Sequence, residues 1–338
     1  MGFSIAFRRA LRGVYMKLLR EIDTKKIVSW VGTVLMLIAL AFIAQRLIMM
    51  RHDLNLSVLG SPAVIAALLL LAVMEGTVVI LASLNYRKLV ISASGIPVGR
   101  ALSTKVYTVS NLYKYIPGGV LYVLGRNRIA IETQGIRHSK VFLATVTEGV
   151  LFAVGALILS VLLAFEHSIY YVRQLEIPFL VRLAFGLILL IAAVILFIFR
   201  RRLPGLFANS ISSVKNFRAP ELLRRLAVAL LLITLWAGIF LGTLMLMGQP
   251  MTFSLGITVM GLFILSWLLG FLTPGAPSGI GIREAVMLMF MSGVLSEGIL
   301  LTAMVVHRIL AVLGDLAAYG MAMVYSAVSR KHSVSHKA

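Results

Sequence analysis

The sequence predicts an all-α polytopic membrane protein with about six spanning helices and two re-entrant helical hairpins in an inverted-topology repeat. Three observations carry that reading. The 338 residues are 60% hydrophobic and only 13% charged, with a mean hydropathy of +1.00, a balance that a water-facing surface does not tolerate. Apolar runs of about 20 residues, enough for one bilayer crossing, recur between short polar stretches. Two further apolar segments are interrupted by Pro/Gly turns, and paired interruptions in the two halves of a chain point to a transporter site.

Residues 1–26 open the chain. Phe3, Phe7, Leu11, Val14, Leu18 and Ile22 recur at helical spacing with Arg8, Arg9, Arg12, Lys17 and Arg20 between them, which predicts a basic amphipathic helix lying on the cytoplasmic membrane surface. Residues 27–325 form one integral membrane domain, and 326–338 a cytoplasmic tail. Spans are expected at about 27–47, 64–84 (with Glu75), 141–165 (with Glu148), 181–199, 226–247 and 299–325 (with His307, Arg308 and Asp315).

Charge sets the orientation. Twenty-five basic residues fall in the two tails and in the stretches 87–105, 126–140 and 200–225, whereas the opposite loops at 49–62 and 166–178 carry only Arg51 and Arg173. By the positive-inside rule both ends are cytoplasmic. The same bias accounts for the net charge of +20 without nucleic acid, since the basic residues sit in short loops between apolar runs. No cysteine is present and the six histidines are scattered, so no metal site and no cofactor are expected.

The first interruption is Tyr113-Lys-Tyr-Ile-Pro-Gly-Gly-Val-Leu-Tyr-Val-Leu-Gly-Arg126, with Pro117, Gly118 and Gly119 at its turn. Basic residues flank it on both sides, so it is read as dipping in from the cytoplasm and returning. The second is Thr273-Pro-Gly-Ala-Pro-Ser-Gly-Ile-Gly-Ile-Arg-Glu284, with Pro274, Gly275, Pro277, Gly279 and Gly281 at its turn. It lies between residues 256–272 and 285–295, two runs read as too short for comfortable crossings, and is expected to enter from the outside. Non-helical backbone at membrane depth is tolerated only inside protein or beside a wet cavity.

Arg283 and Glu284 fall at the first turn of the half-helix after this loop. A helix N-terminus offers free N–H groups and a positive dipole end, and an arginine beside it suits a phosphate or carboxylate. Glu284 is placed either to cap that turn or to pair with Arg283. Arg126 holds the matching position in the first half, unless it is simply one of the cytoplasmic-side positive charges, and Lys114 lies on the approach to that turn. Glu148 is expected to face a cavity, paired with Arg126 or Arg308, because ionisable residues at membrane depth are expensive and functional by default. Substrate-binding candidates are therefore Arg283, Glu284, Arg126, Glu148, Arg308 and Lys114. No catalytic residue is assigned: Pro277-Ser-Gly279 continues with Ile280 where a lipid phosphatase motif has histidine.

Tyr115-Ile-Pro-Gly-Gly119 with Arg126, Glu148, then Pro274-Gly-Ala-Pro-Ser-Gly-Ile-Gly-Ile-Arg-Glu284 and Arg308, resembles the transmembrane (flippase-like) region of the lysylphosphatidylglycerol synthase family over about 27–325. That resemblance implies a stand-alone member lacking the soluble synthase domain, which in two-domain relatives makes the lipid that the membrane region translocates. The expected function is a non-enzymatic transporter, or flippase, for an anionic or lipid-linked headgroup in the bacterial inner membrane. Its partners would be anionic phospholipid or polyprenyl-linked lipid, with room for a soluble transferase partner and for homo-oligomers. The alternative is a non-transporting membrane subunit that presents a lipid-linked substrate to a glycosyltransferase or aminoacyltransferase.

Overall fold

The computed structural model describes residues 60–115, 121–133, 135–174, 217–273, 279 and 281–335. The expected interfacial helix at 1–26, the spans at 27–47 and 181–199, and Pro117, Gly118, Gly119, Pro274, Gly275 and Pro277 lie outside the described residues. Every regular element among the described residues is helical: α1 (Pro62–Ser94), α2 (Arg100–Leu112) with a 3-10 turn at Tyr113–Tyr115, α3 (Leu121–Arg126), α4 (Arg128–Glu132), α5 (His138–Gln174), α6 (Ala219–Leu246), α7 (Phe253–Leu272), α8 (Ile282–Met291) and α9 (Glu297–Ser335).

Local chemistry sets these boundaries. Pro62 occupies the first turn of α1, where its missing N–H costs nothing. Gly95 ends the helix in the left-handed region (φ 74°), with its N–H bonded to the Ile91 carbonyl. A second proline starts α6. The Thr252 side chain caps α7 by accepting from the Leu255 N–H at 3.3 Å.

Among the described residues five helices are long and apolar enough to cross a membrane: α1, α5 up to Ala164, α6, α7 and α9. Four coincide with expected spans and overrun them. α1 continues ten residues past 84, and α9 runs to Ser335, into residues expected to be tail. The fifth corrects the sequence reading. α7 begins at Phe253 rather than near 256 and has 20 residues, about 30 Å of helix at 1.5 Å per residue. Length therefore does not separate it from a span. α8, with 10 residues, is only half as long. α7 packs on α8, as α2 packs on α3.

The outer surface of this bundle is apolar. Leu69, Leu70, Leu162, Leu231 and Val324 are each more than half exposed, the arrangement expected where lipid tails, not water, are the solvent. Inside, one core joins α6 to α9, centred on Phe240 and Phe263, whose rings stack at 4.2 Å. A second joins one end of α1 to α2, α4 and α5 around Tyr86, Leu89 and Ile129.

Small residues let the long helices meet, as membrane bundles require without a hydrophobic drive between helices. A Cβ on Gly76 would stand 2.8 Å from the Gly314 carbonyl oxygen, and one on Gly314 would stand 2.6 Å from Cβ and Cγ of Glu75. α1 and α9 therefore touch backbone to backbone at the level of Glu75. Gly261 of α7 meets Ala164 of α5 in the same way, at 2.8 Å from its backbone nitrogen. Gly314→Ala and Gly261→Ala should each lower the melting temperature of the detergent-purified protein, by an overpacking cost of about 1–3 kcal/mol. Gly320→Ala, with nothing within 4 Å of the added methyl, should be neutral or slightly stabilising. Equal effects at the three positions would contradict this packing.

Candidate functional site

Charged side chains gather in the interior of the bundle. Each charge taken from water must be paired or neutralised, or it costs several kcal/mol. Among the described residues three ion pairs between different elements meet this demand: Arg126–Glu148, Lys114–Asp315 and Arg308–Glu284.

Arg126, 3% exposed at the end of α3, is held by Glu148 of α5, itself 5% exposed. Tyr107 of α2 donates to the other carboxylate oxygen at 3.0 Å. The guanidinium also lies over three rings, with centroids 4.3 Å away at Tyr107, 4.5 Å at Tyr86 and 5.2 Å at Tyr122. Cation–π attraction of this kind strengthens when water is excluded. Of the two partners open to Glu148 from sequence, the structure selects Arg126. The arginine in this cage is already neutralised.

Asp315 of α9 is 1% exposed and takes three donors from the first half of the chain. Asn111 Nδ2 donates at 2.6 Å, Tyr115 Oη at 2.5 Å, and Lys114 Nζ stands 2.7 Å away. Lys114 is thus a tether between the turn after α2 and α9. The sequence marks Asn111 and Tyr115 as polar residues near the first turn but not as partners of Asp315, and it gives no sign of the Tyr107–Tyr86–Tyr122 cage, since nothing in their spacing marks an aromatic or polar residue as a charge partner. Asp315 and Glu75 were noted as ionisable residues within spans but not placed in the site.

Glu284 is 3% exposed in the first turn of α8. Its carboxylate accepts from the Gly281 N–H at 2.7 Å and from Arg308 Nε of α9 at 2.6 Å. The two sequence options for Glu284 resolve into a cap plus a cross-helix pair. Arg283 is not its partner, because successive residues on a helix point about 100° apart.

Arg283 projects elsewhere, with its guanidinium 5.2 Å from the Trp236 ring centroid. It lies against the crossing of Gly270 and Gly279, and its Nε is within 3.5 Å of where a Cβ of either glycine would stand. Gly279 and Gly281 adopt φ of 67° and 85°, which side-chain-bearing residues rarely do. A Cβ on Gly279 would also stand 2.8 Å from the Gly270 Cα. Both turn glycines are therefore required by conformation, and Gly279 also by contact.

Among the described residues Arg283 makes no ion pair. Its Nε and the Nη2 of Arg308 are buried without a hydrogen-bond partner, while the two cations lie within electrostatic range of one another. Unsatisfied buried donors are rare because each forfeits its hydration. Two of them on neighbouring arginines suit an oxyanion such as a phosphate, which accepts from several N–H groups at once. Nearby, His307 is 3% exposed, among the rings of Phe263 (5.1 Å), Phe240 (5.5 Å) and Trp236 (6.2 Å), and neither ring nitrogen has a partner among the described residues. No group of His, Asp and Glu among the described residues is arranged to hold a metal ion.

No known family model matches the chain, and no curated protein matches it.

The cage at Arg126 has a direct test. Arg126→Ala strands the Glu148 charge and should cost about 3–5 kcal/mol, against a smaller cost for the double replacement Arg126→Met with Glu148→Leu, which strands no charge and leaves only the Tyr107 hydroxyl without its acceptor. Thermal unfolding of the purified proteins measures both. If the single variant is as stable as wild type, Arg126 is not a structural cation.

Proposed function

We propose that this protein is a transporter that moves lipids with an anionic headgroup, or lipid-linked sugars bearing a phosphate, across the bacterial inner membrane. The spare donors of Arg283 and Arg308 at the start of α8 carry this reading. Arg126 Nε is likewise buried without a hydrogen-bond partner, but that arginine is ion-paired to Glu148 and covered by tyrosine rings, whereas Arg283 makes no ion pair among the described residues. The headgroup phosphate accepts from the two arginines, assisted by the positive end of α8. The acyl or prenyl tails stay in the hydrocarbon, beside a bundle whose outer face is already apolar. Desolvating a phosphate is prohibitive without charged partners at hand, so a path for it requires such a pair.

In this reading α2–α3 and α7–α8 are the two hairpins of an inverted repeat, with both chain ends cytoplasmic. Of the two arginines expected to take the headgroup, the first half supplies a structural one, Arg126, whose counter-ion is built in. The second half supplies the binding one. The motif resemblance to the lysylphosphatidylglycerol synthase transmembrane family supports the lipid class. A membrane subunit presenting a lipid-linked substrate to a soluble transferase uses the same anion site without flipping.

Topology and transport are tested separately. Single cysteines at Ser139, in the first turn of α5, and at Pro250, between α6 and α7, should label from opposite faces of the membrane, Ser139 from the cytoplasm. Labelling from one face would rule out the orientation. In vesicles carrying the purified protein, a fluorescent phosphatidylglycerol should exchange between leaflets faster than in protein-free vesicles, and faster than phosphatidylcholine does. Arg283→Glu should abolish that acceleration. Arg283→Lys should keep part of it, since lysine retains the charge and loses the bidentate fork. Headgroup binding without exchange would move the assignment to the presenting subunit. Equal handling of both headgroups, unaffected by Arg283→Glu, would remove the anion site.

A further inference from the structure

We propose that Glu75 is a proton-binding site linked to the anion site, so that one proton accompanies each anionic headgroup. This rests on the reading of Arg283 as that anion site.

The observation is what remains when the buried charges are matched. Among the described residues around this site, the buried carboxylates Glu148, Glu284 and Asp315 pair with Arg126, with the part-exposed Arg308 and with the part-exposed Lys114, and the Arg225–Glu221 pair is closed within α6, which leaves Arg283 and Glu75 over. Glu75 is 5% exposed and lies within α1, pressed against Gly314. Its Oε2 has no hydrogen-bond partner. The groups facing it are Lys114 and Tyr115 from the turn after α2, Asp315 from α9, Arg283 from α8 and the indole N–H of Trp236 from α6. That indole N–H makes no hydrogen bond of good geometry. Lys114, Tyr115 and Asp315 are committed to one another. The uncommitted counter-charge for Glu75 is therefore Arg283, within electrostatic range but not in contact.

This geometry makes the two ligands interdependent. With the site empty, the Glu75 carboxylate balances Arg283. A phosphodiester that accepts from Arg283 supplies a competing negative charge and leaves Glu75 without its counter-charge, at a depth where a lone carboxylate is strongly disfavoured. Taking up one proton turns the carboxylate into a carboxylic acid and restores neutrality. The proton comes from water as the headgroup enters and returns to water as it leaves, and no covalent bond to the lipid changes. By reciprocity, protonation of Glu75 strengthens anion binding by the same factor by which the anion strengthens protonation. A proton gradient then biases the direction of transport.

The test is binding of a short-chain phosphatidylglycerol to the full-length purified protein across neutral pH, where the phosphodiester itself stays singly charged. For wild type the apparent Kd should rise with pH by up to about tenfold per unit, the limit for one linked proton. Glu75→Gln should bind as tightly as acidic wild type and lose the slope. A flat wild-type profile, or an undiminished slope in Glu75→Gln, would overturn the proposal while leaving the anion site intact. Unchanged binding by Arg283→Glu would instead overturn the anion site on which it rests. Should Glu75→Gln fail to accumulate, proton uptake by wild type on lipid addition, followed by an indicator dye in weak buffer, decides the matter. One proton per lipid bound supports the link, and none removes it.

Discussion

The pairing of buried charge governs this structure. An unpaired ion between apolar helices is expensive, and Glu148, Glu284 and Asp315 each draw a cation from another element. α9 shows the consequence most clearly. Arg308 and Asp315 are seven residues apart and so share one helix face. Arg308 takes Glu284 from the second half of the chain, and Asp315 takes Lys114, Asn111 and Tyr115 from the first. One helix therefore docks the segments around both interrupted regions, and their relative position follows from two residues on it.

Close packing supports the electrostatics. Gly76 and Gly314 let α1 and α9 meet at backbone distance where Glu75 sits, so the leftover carboxylate is enclosed by helix backbone as well as by side chains. Gly270 and Gly279 do the same for Arg283, while Trp236 supplies a ring face to its guanidinium. The two leftover charges are thus held in place by glycine contacts and aromatic surface rather than by ion pairing. Neither makes an ion pair among the described residues, while close packing fixes the position of both.

Much of the fold was legible in the sequence because the bilayer imposes a length rule and a polarity rule at once. α1, α5 and α9 each contain an expected span, and α6 covers all but the last residue of one. The misjudged element was α7. Its apolar run was counted from Gly256, yet Thr252 caps the helix earlier and Phe253, Ser254 and Leu255 belong to it. A cap residue, not hydropathy, sets that boundary.

At the site, the importance of Arg126, Glu148, Glu284 and Arg308 could be read from their apolar surroundings, but partnership could not. The adjacent Arg283 and Glu284 look like a pair in sequence and diverge on a helix. Asp315 finds Lys114 across about 200 residues of chain, and only tertiary structure supplies such a contact. The tyrosines around Arg126 carry no local signal for the same reason.

The proposed anion site rests on Arg283, the buried-site arginine that makes no ion pair among the described residues. Native mass spectrometry of the protein purified from its own membrane tests it most directly, by identifying the lipid that stays bound. A retained lipid bearing a phosphate and a net negative charge, absent when Arg283→Gln is purified in the same way, is the predicted result. Retention of zwitterionic lipid alone, or of the same anionic lipid in both proteins, would contradict it.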